Sequence, residues 1–109
     1  MLYSLIYRDK SIGTLSVSDR NVCTTLNDGL EMIQIPWEWK KKYENGQRIY
    51  DNEESMDWIK ERVVPSGRCN IHEIMEAYGL EVYDELGMFI GAKGYFNNDG
   101  YHIEELPCN

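Results

Sequence analysis

The apolar residues of this chain change their spacing once, near Pro36, and the change separates a strand-like part from a helix-like part. Before it, residues 2–7 and 12–17 are short runs of aromatic and branched residues, with a polar turn at Arg8, Asp9, Lys10 and Ser11 between them. In the second run Ile12, Thr14 and Ser16 alternate with Gly13, Leu15 and Val17, the period of a strand with one buried face. A third strand is expected near residues 22–26. Asn27-Asp28-Gly29 then predicts a hairpin turn, because its residues tolerate positive φ, and residues 30–35 predict a fourth strand. Together these runs describe an antiparallel meander.

Beyond Pro36 the spacing becomes helical. Pro36 suits the first turn of a short helix over residues 37–44, stopped by Asn45-Gly46. Asp51, with Glu54 three residues on, forms a capping-box pattern for a helix carrying Met56, Ile59 and Val63 on one stripe, ended by Pro65. Asn70 and Glu73 repeat the pattern for a third helix with Ile71, Ile74, Met75 and Tyr78 inward, closed by Gly79. Asp84 predicts the cap of a last helix with Leu86, Phe89 and Ile90 inward, ended by Gly94. The turn Asn98-Asp99-Gly100 leads to a closing strand over residues 101–106. The fold expected is α+β over residues 1–109 as a single domain: an amino-terminal meander packed against three to four short helices, with a returning strand. Trp58, Ile59, Val63, Ile74, Tyr78, Leu86 and Phe89 are then expected in the core, in one helical layer on the sheet.

Charge changes the picture of the surface. Residues 51–109 hold 13 Asp and Glu against Lys60, Arg62, Arg68 and Lys93, a formal charge of −9, whereas the first fifty residues carry +1 and the chain −8. Three Trp, eight Tyr and two Phe, spread along the chain, belong to a folded globule rather than an acidic disordered tail. Such a surface repels DNA, RNA and anionic lipid, so no direct DNA binding is expected, and its natural partner is a basic nucleic-acid-binding protein. No apolar run approaches the ~20 residues that span a bilayer. Three cysteines, an odd number, and an amino terminus without a signal-peptide pattern predict a cytoplasmic protein.

The candidate residues follow from spacing. Glu53, Asp57 and Glu61 lie i, i+4, i+8, Glu81 and Glu85 share that spacing if their turn is helical, and Glu73 and Glu76 fall on the outer side of the third helix. Like charges at i, i+4 cost a helix roughly 0.2–0.5 kcal/mol per pair. The array is therefore either a plain solvated face or a set of carboxylates imitating nucleic-acid phosphates, which in duplex DNA recur about every ~1.7 Å. A second candidate interface is Trp37, Trp39, Lys40, Lys41, Lys42 and Tyr43, with Arg48 and Tyr50 beyond it. Its mixture of base and aromatic suits contact with a partner, and equally a half-buried helix with Trp39 and Tyr43 packed inward. Cys69 and His72, with His102 and Cys108, fit no zinc-finger or ribbon spacing, so no metal or other cofactor is expected. Cys23 has no evident base, and adjacent pairs such as Glu53-Glu54 and Glu104-Glu105 point their side chains apart. No enzyme is expected.

One resemblance adds a setting. Trp58-Ile59, Arg62-Val63, Pro65, Arg68, Asn70, Glu73-Ile74, Gly79-Leu80, Tyr83-Asp84, Gly94, Asp99 and residues 101–103 resemble a module shared by small phage and conjugative-element proteins of Firmicutes and by HipA-like proteins. The pattern covers about half of the chain; residues 10–15 loosely resemble the β-rich amino-terminal lobe of HipA-like proteins. Gly87 departs from it, standing where a helix former is expected, so the last helix should be short or kinked. The resemblance implies a mobile element or host defence. It brings no kinase activity with it, because Gly13 and Gly29 are isolated and form no nucleotide loop. The function expected is an anti-CRISPR-like inhibitor that blocks the nucleic-acid groove of a host nuclease such as a CRISPR effector. The alternative is a regulatory module related to HipA-like toxin–antitoxin components.

Overall fold

A computed structural model describes residues 1–107. Five strands form one antiparallel sheet: β1 (Leu2–Tyr7), β2 (Lys10–Ser18), β3 (Asn21–Leu26), β4 (Ile49–Tyr50) and β5 (Tyr101–Glu105), in the order β4-β3-β2-β1-β5. Four helices follow or interrupt them: α1 (Lys40–Glu44), α2 (Asn52–Ile59), α3 (Ile71–Ala77) and α4 (Glu85–Gly91). The architecture is α+β, with the closing strand paired to β1.

The first two hairpins turn on residues in the left-handed region, Arg8 and Asp9 (φ 45° and 75°), then Asp19 and Arg20 (φ 47° and 67°). Turns with two such residues match the twist of the flanking strands. The β1–β2 register shifts between Leu5 and Ile6, a bulge that changes which side chains face inward. Ile12 and Leu15, three apart, both reach the core as a result, and strict alternation along the second run does not hold. Gly13 lies where β2 presses on β3: a Cβ there would sit 2.2 Å from the Thr25 carbonyl oxygen. The obstacle is backbone, which gives little, so Gly13→Ala should cost about 1–3 kcal/mol. A thermal midpoint equal to that of the parent would refute this crowding.

The expected hairpin at residues 27–29 is not one, and residues 30–35 are not a strand. Met32–Gln34 form a 3-10 turn boxed by Glu31 and Gln34, and the partner of β3 is β4, with Thr24 opposite Tyr50. The reason is a tyrosine. Tyr43 Oη donates to the Asn27 carbonyl (2.7 Å) and accepts from Leu30 N–H (3.1 Å), satisfying backbone groups that a ladder would have used. The chain then makes a long excursion before Leu26 N–H reaches the Arg48 carbonyl.

The helices divide into two groups. A 3-10 turn (Trp37–Trp39), α1, α2 and α4 supply Trp39, Tyr43, Trp58, Ile59, Leu86 and Phe89 to a core shared with Leu5, Leu15 and Ile103 of the sheet. Its aromatic rings touch in series: Tyr50 on Trp39 at 4.9 Å, Trp39 on Trp58 at 5.3 Å, and Trp58 against Phe89 and Tyr101, both at 5.6 Å. Beneath α2 a buried polar link joins helix to sheet, Thr24 Oγ1 to Ser55 Oγ at 2.8 Å. α3 stands apart. Ile71 and Met75 join Met88 in a second small cluster, with Val63, Ile74 and Tyr78 half-buried around it. The expected single helical layer, with Val63, Ile74 and Tyr78 largely buried, is therefore corrected: α3 packs on α4 rather than on the sheet.

The caps follow the sequence in two cases of three. Asp51 and Glu54 form the full capping box of α2, and Asp84 accepts from Gly87 N–H at the start of α4. Asn70 does not cap α3, because its side chain accepts instead from Arg68 Nε at 3.1 Å. α4 is short, seven residues, as Gly87 predicted. At Gly87 a Cβ would meet only the tip of the Leu80 side chain at 2.9 Å, which can move, whereas one at Gly91 would enter the Tyr78 ring at 2.4 Å, so glycine is required at Gly91.

Candidate protein-binding surface

Helix geometry brings some of the predicted acids together and separates others. Glu53 and Asp57 follow each other one turn apart on α2. Glu61 falls in the 3-10 turn Lys60–Arg62, where three residues complete a turn, so the i+8 alignment drifts. Asp57 is half-buried and its carboxylate lies 3.4 Å from Lys60 Nζ. Glu73 and Glu76 are exposed on α3, away from Ile71 and Met75. Gly79 (φ 73°) stops α3, so Glu81 lies in the bend that follows and Glu85 begins α4, half-buried; the expected Glu81–Glu85 helical pair does not form. Glu53, Glu61, Glu73, Glu76 and Glu81 remain exposed and without an ion-pair partner among the described residues. Glu54, which spacing marked only as the capping-box partner of Asp51, is committed to the fold further. It accepts from Lys42 Nζ (2.8 Å) and Gln47 Nε2 (2.9 Å). Those bonds, Lys42's first, hold its carboxyl below the usual range, and the same bond raises Lys42.

The basic aromatic tract splits by face. Trp39 is 1% exposed and donates its indole N–H to the Glu54 carbonyl (2.9 Å). Tyr43 is also buried, and Lys42 is spent on Glu54, so these three leave the candidate interface; the inward packing of Trp39 and Tyr43 is what the structure shows. Arg48 lies 3.7 Å over the Tyr43 ring and bonds Asp28, which removes it as well. What stays outside is Trp37, Lys40 and Lys41. Trp37 is 82% exposed, with Lys40 Nζ 5.9 Å from its ring, and with Glu44 these residues border a shallow hollow of about 490 Å³. Ile33, 61% exposed, and Met32 are further exposed apolar residues a few positions earlier in the chain. An uncovered indole beside exposed aliphatic residues is a common mark of a protein contact.

Sequence reasoning missed a buried charged group. Arg62, 6% exposed, donates two hydrogen bonds to the Asp99 carboxylate and one to the Gly94 carbonyl (2.7 Å). Its guanidinium also lies over Trp58 (4.5 Å), Tyr101 (5.5 Å) and Phe96 (5.7 Å). Trp58, Arg62, Gly94, Asp99 and Tyr101 all belong to the pattern that carried the resemblance. They meet in one place, and what they do there is join the end of α2 to the turn before β5. The only available signal was that pattern, since a lone arginine and a loop aspartate 37 residues apart show no periodicity.

Among the described residues no three His, Cys, Asp or Glu side chains are grouped as a metal would need. Cys23 and Cys69 are exposed free thiols, and Cys108 lies outside the described residues. No helix among those residues is long and apolar enough to cross a membrane. Compared with known proteins, the chain matches no family model, no curated protein and no solved structure.

Proposed function

We propose that this chain is a non-catalytic inhibitor carried by a mobile element, which binds a basic nucleic-acid-binding protein in the bacterial cytoplasm and covers its groove. The target class that fits is a defence nuclease of the CRISPR effector kind, whose guide–target heteroduplex occupies a positively charged channel. The observation that carries this reading is the set of exposed, unpaired carboxylates Glu53, Glu61, Glu73, Glu76 and Glu81, spread over α2, α3 and the segments that follow them. A surface shaped only for solubility gains more by pairing its charges, as Asp57 does with Lys60. Exposed Trp37, Ile33 and Met32 offer apolar anchors in the segment before α1. The convergence of Trp58, Arg62, Gly94, Asp99 and Tyr101 favours a second reading, a HipA-related regulatory module, because it gives the shared pattern a structural purpose.

The two differ in salt dependence. Exposed charges are screened over ~8–10 Å at physiological ionic strength, so an electrostatic inhibitor should bind more weakly in salt and compete with RNA. The triple change Glu53→Lys, Asp57→Lys and Glu61→Lys should leave the fold intact and slow association with a CRISPR effector by roughly an order of magnitude. Surface plasmon resonance at two salt concentrations, with and without guide RNA, measures this. A folded triple variant that binds at the parental rate, or a complex that holds RNA and inhibitor together, would overturn the groove-blocking mechanism. Binding that persists in salt and does not compete with RNA would favour the regulatory reading.

A further inference from the structure

The outer edge of β5 is only partly covered. Leu106 N–H donates to Leu2 and Arg8 N–H to Gly100, so even-numbered residues of this strand bond to β1 and odd-numbered ones address the open side. On that side Tyr101 N–H is taken by the Asp99 carboxylate (3.1 Å) and Ile103 N–H by the Lys93 carbonyl (2.8 Å). Gly94 presses against the same stretch, with φ 76° and room for no side chain: a Cβ would lie 3.0 Å from Ile103 N. Past Ile103 the cover ends, and Glu105 N–H has no partner among the described residues. A notch of about 480 Å³ opens there, floored by Ile90 and Ile103.

The walls of the notch are unevenly satisfied. Tyr3 stands directly opposite Glu105 across the ladder, its ring in the core and the residue only 8% exposed. Its hydroxyl has no hydrogen-bond partner among the described residues and is not sealed from solvent, so it is free to bond a group that enters the notch. Burial first, and then the charge of Glu105, hold that hydroxyl above its ordinary pKa. Among the described residues Glu104 and Glu105 have no lysine or arginine partner; His102 Nε2 lies 3.6 Å from Glu104. Tyr95 stacks flat on His102, ring centres 5.0 Å apart and planes 2° from parallel, forming an aromatic wall. Among the described residues Lys93 is the one lysine or arginine at the rim, against two carboxylates.

We propose that this notch receives an extended segment of a basic protein partner, which pairs with the free end of β5 as a sixth strand. An arginine or lysine of that segment places its head between the Glu105 carboxylate and the Tyr3 hydroxyl, and a guanidinium can lie along the Tyr95–His102 wall. Edge strands accept such additions because the main chain supplies the bonds and side-chain pockets supply the choice. Charge selects the occupant. A second copy of this chain would bring its own Glu104 and Glu105 to the edge, whereas a basic strand offsets both. The inference rests on the reading that the partner is basic and adds the place where its chain enters.

The test uses the full, isotope-labelled chain and two synthetic peptides, Thr-Val-Arg-Lys-Val-Thr and Thr-Val-Glu-Glu-Val-Thr, followed by amide NMR. The basic peptide should shift the Lys93, Tyr95, Ile103 and Glu105 amides saturably and slow exchange of Glu105 N–H; the acidic peptide should not. Glu105→Lys should weaken binding by roughly tenfold or more, the scale of losing a paired charge. Tyr3→Phe, which keeps the ring in the core, should weaken it several-fold, on the order of one hydrogen bond to a charged group. Absence of a saturable response, or equal response to both peptides, overturns the proposal. A response that maps to Glu53, Glu61, Glu73 and Glu76 and survives Glu105→Lys also overturns it, yet leaves the acidic-face reading standing. Loss of that reading shows separately, in the triple charge reversal.

Discussion

An Arg62→Ala variant is expected to lose about 3–5 kcal/mol of stability, the scale of breaking a buried ion pair from one side. Domains of this size have roughly 5–15 kcal/mol in all, so the variant should be partly unfolded at ordinary temperatures. The loss has three sources in the structure. The Asp99 carboxylate keeps only the Tyr101 N–H as a donor, the Gly94 carbonyl loses its partner, and the faces of Trp58 and Tyr101 lose a cation. Lysine should not restore the wild-type midpoint, since a single ammonium cannot reproduce the fork that grips Asp99 and Gly94 together. Chemical denaturation of Arg62→Ala, Asp99→Asn and the double variant measures the coupling. If Arg62→Ala unfolds within about 0.5 kcal/mol of the parent, the size of an ordinary surface change, the knot does not hold α2 to β5.

The second large effect separates two tryptophans two residues apart. Trp39→Ala should cost about 3–5 kcal/mol, the range for a buried aromatic truncation. It empties the space between Tyr50 and Trp58 and leaves the Glu54 carbonyl without the indole N–H. Trp37→Ala should change stability by no more than about 0.5 kcal/mol, because its ring touches little besides Lys40. The same variant should weaken partner binding if the apolar patch is an anchor. Thermal melts of both variants, with binding measured on Trp37→Ala, test the division. Equal destabilisation by the two would mean that the tract does not split into an inner and an outer face.

The sequence by itself determined what depends on neighbours along the chain. The β1 and β3 strands, the capping box at Asp51 and the cap at Asp84, the stop at Gly79 and the exposure of Glu53, Glu73 and Glu76 all follow from spacing of two to four residues, where local bonds and helical period decide. Tertiary structure alone decided the rest. Residues 30–35 left the sheet because Tyr43, thirteen or more residues away, satisfied the backbone of the turn. Asn70 was diverted by Arg68, and the bulge beside Ile12 changed which residues of β2 face the core. The division of residues 37–43 was invisible for a related reason: aromatic and basic residues can serve either side of a helix, and only the packing of Tyr50 and Trp58 chose Trp39. Arg62 and Asp99 met across 37 residues, and the notch at β5 arose from Tyr3 and Glu105, almost the whole chain apart. Contacts of that range leave no period in the sequence, because the free energy that forms them comes from burial shared by the assembled core.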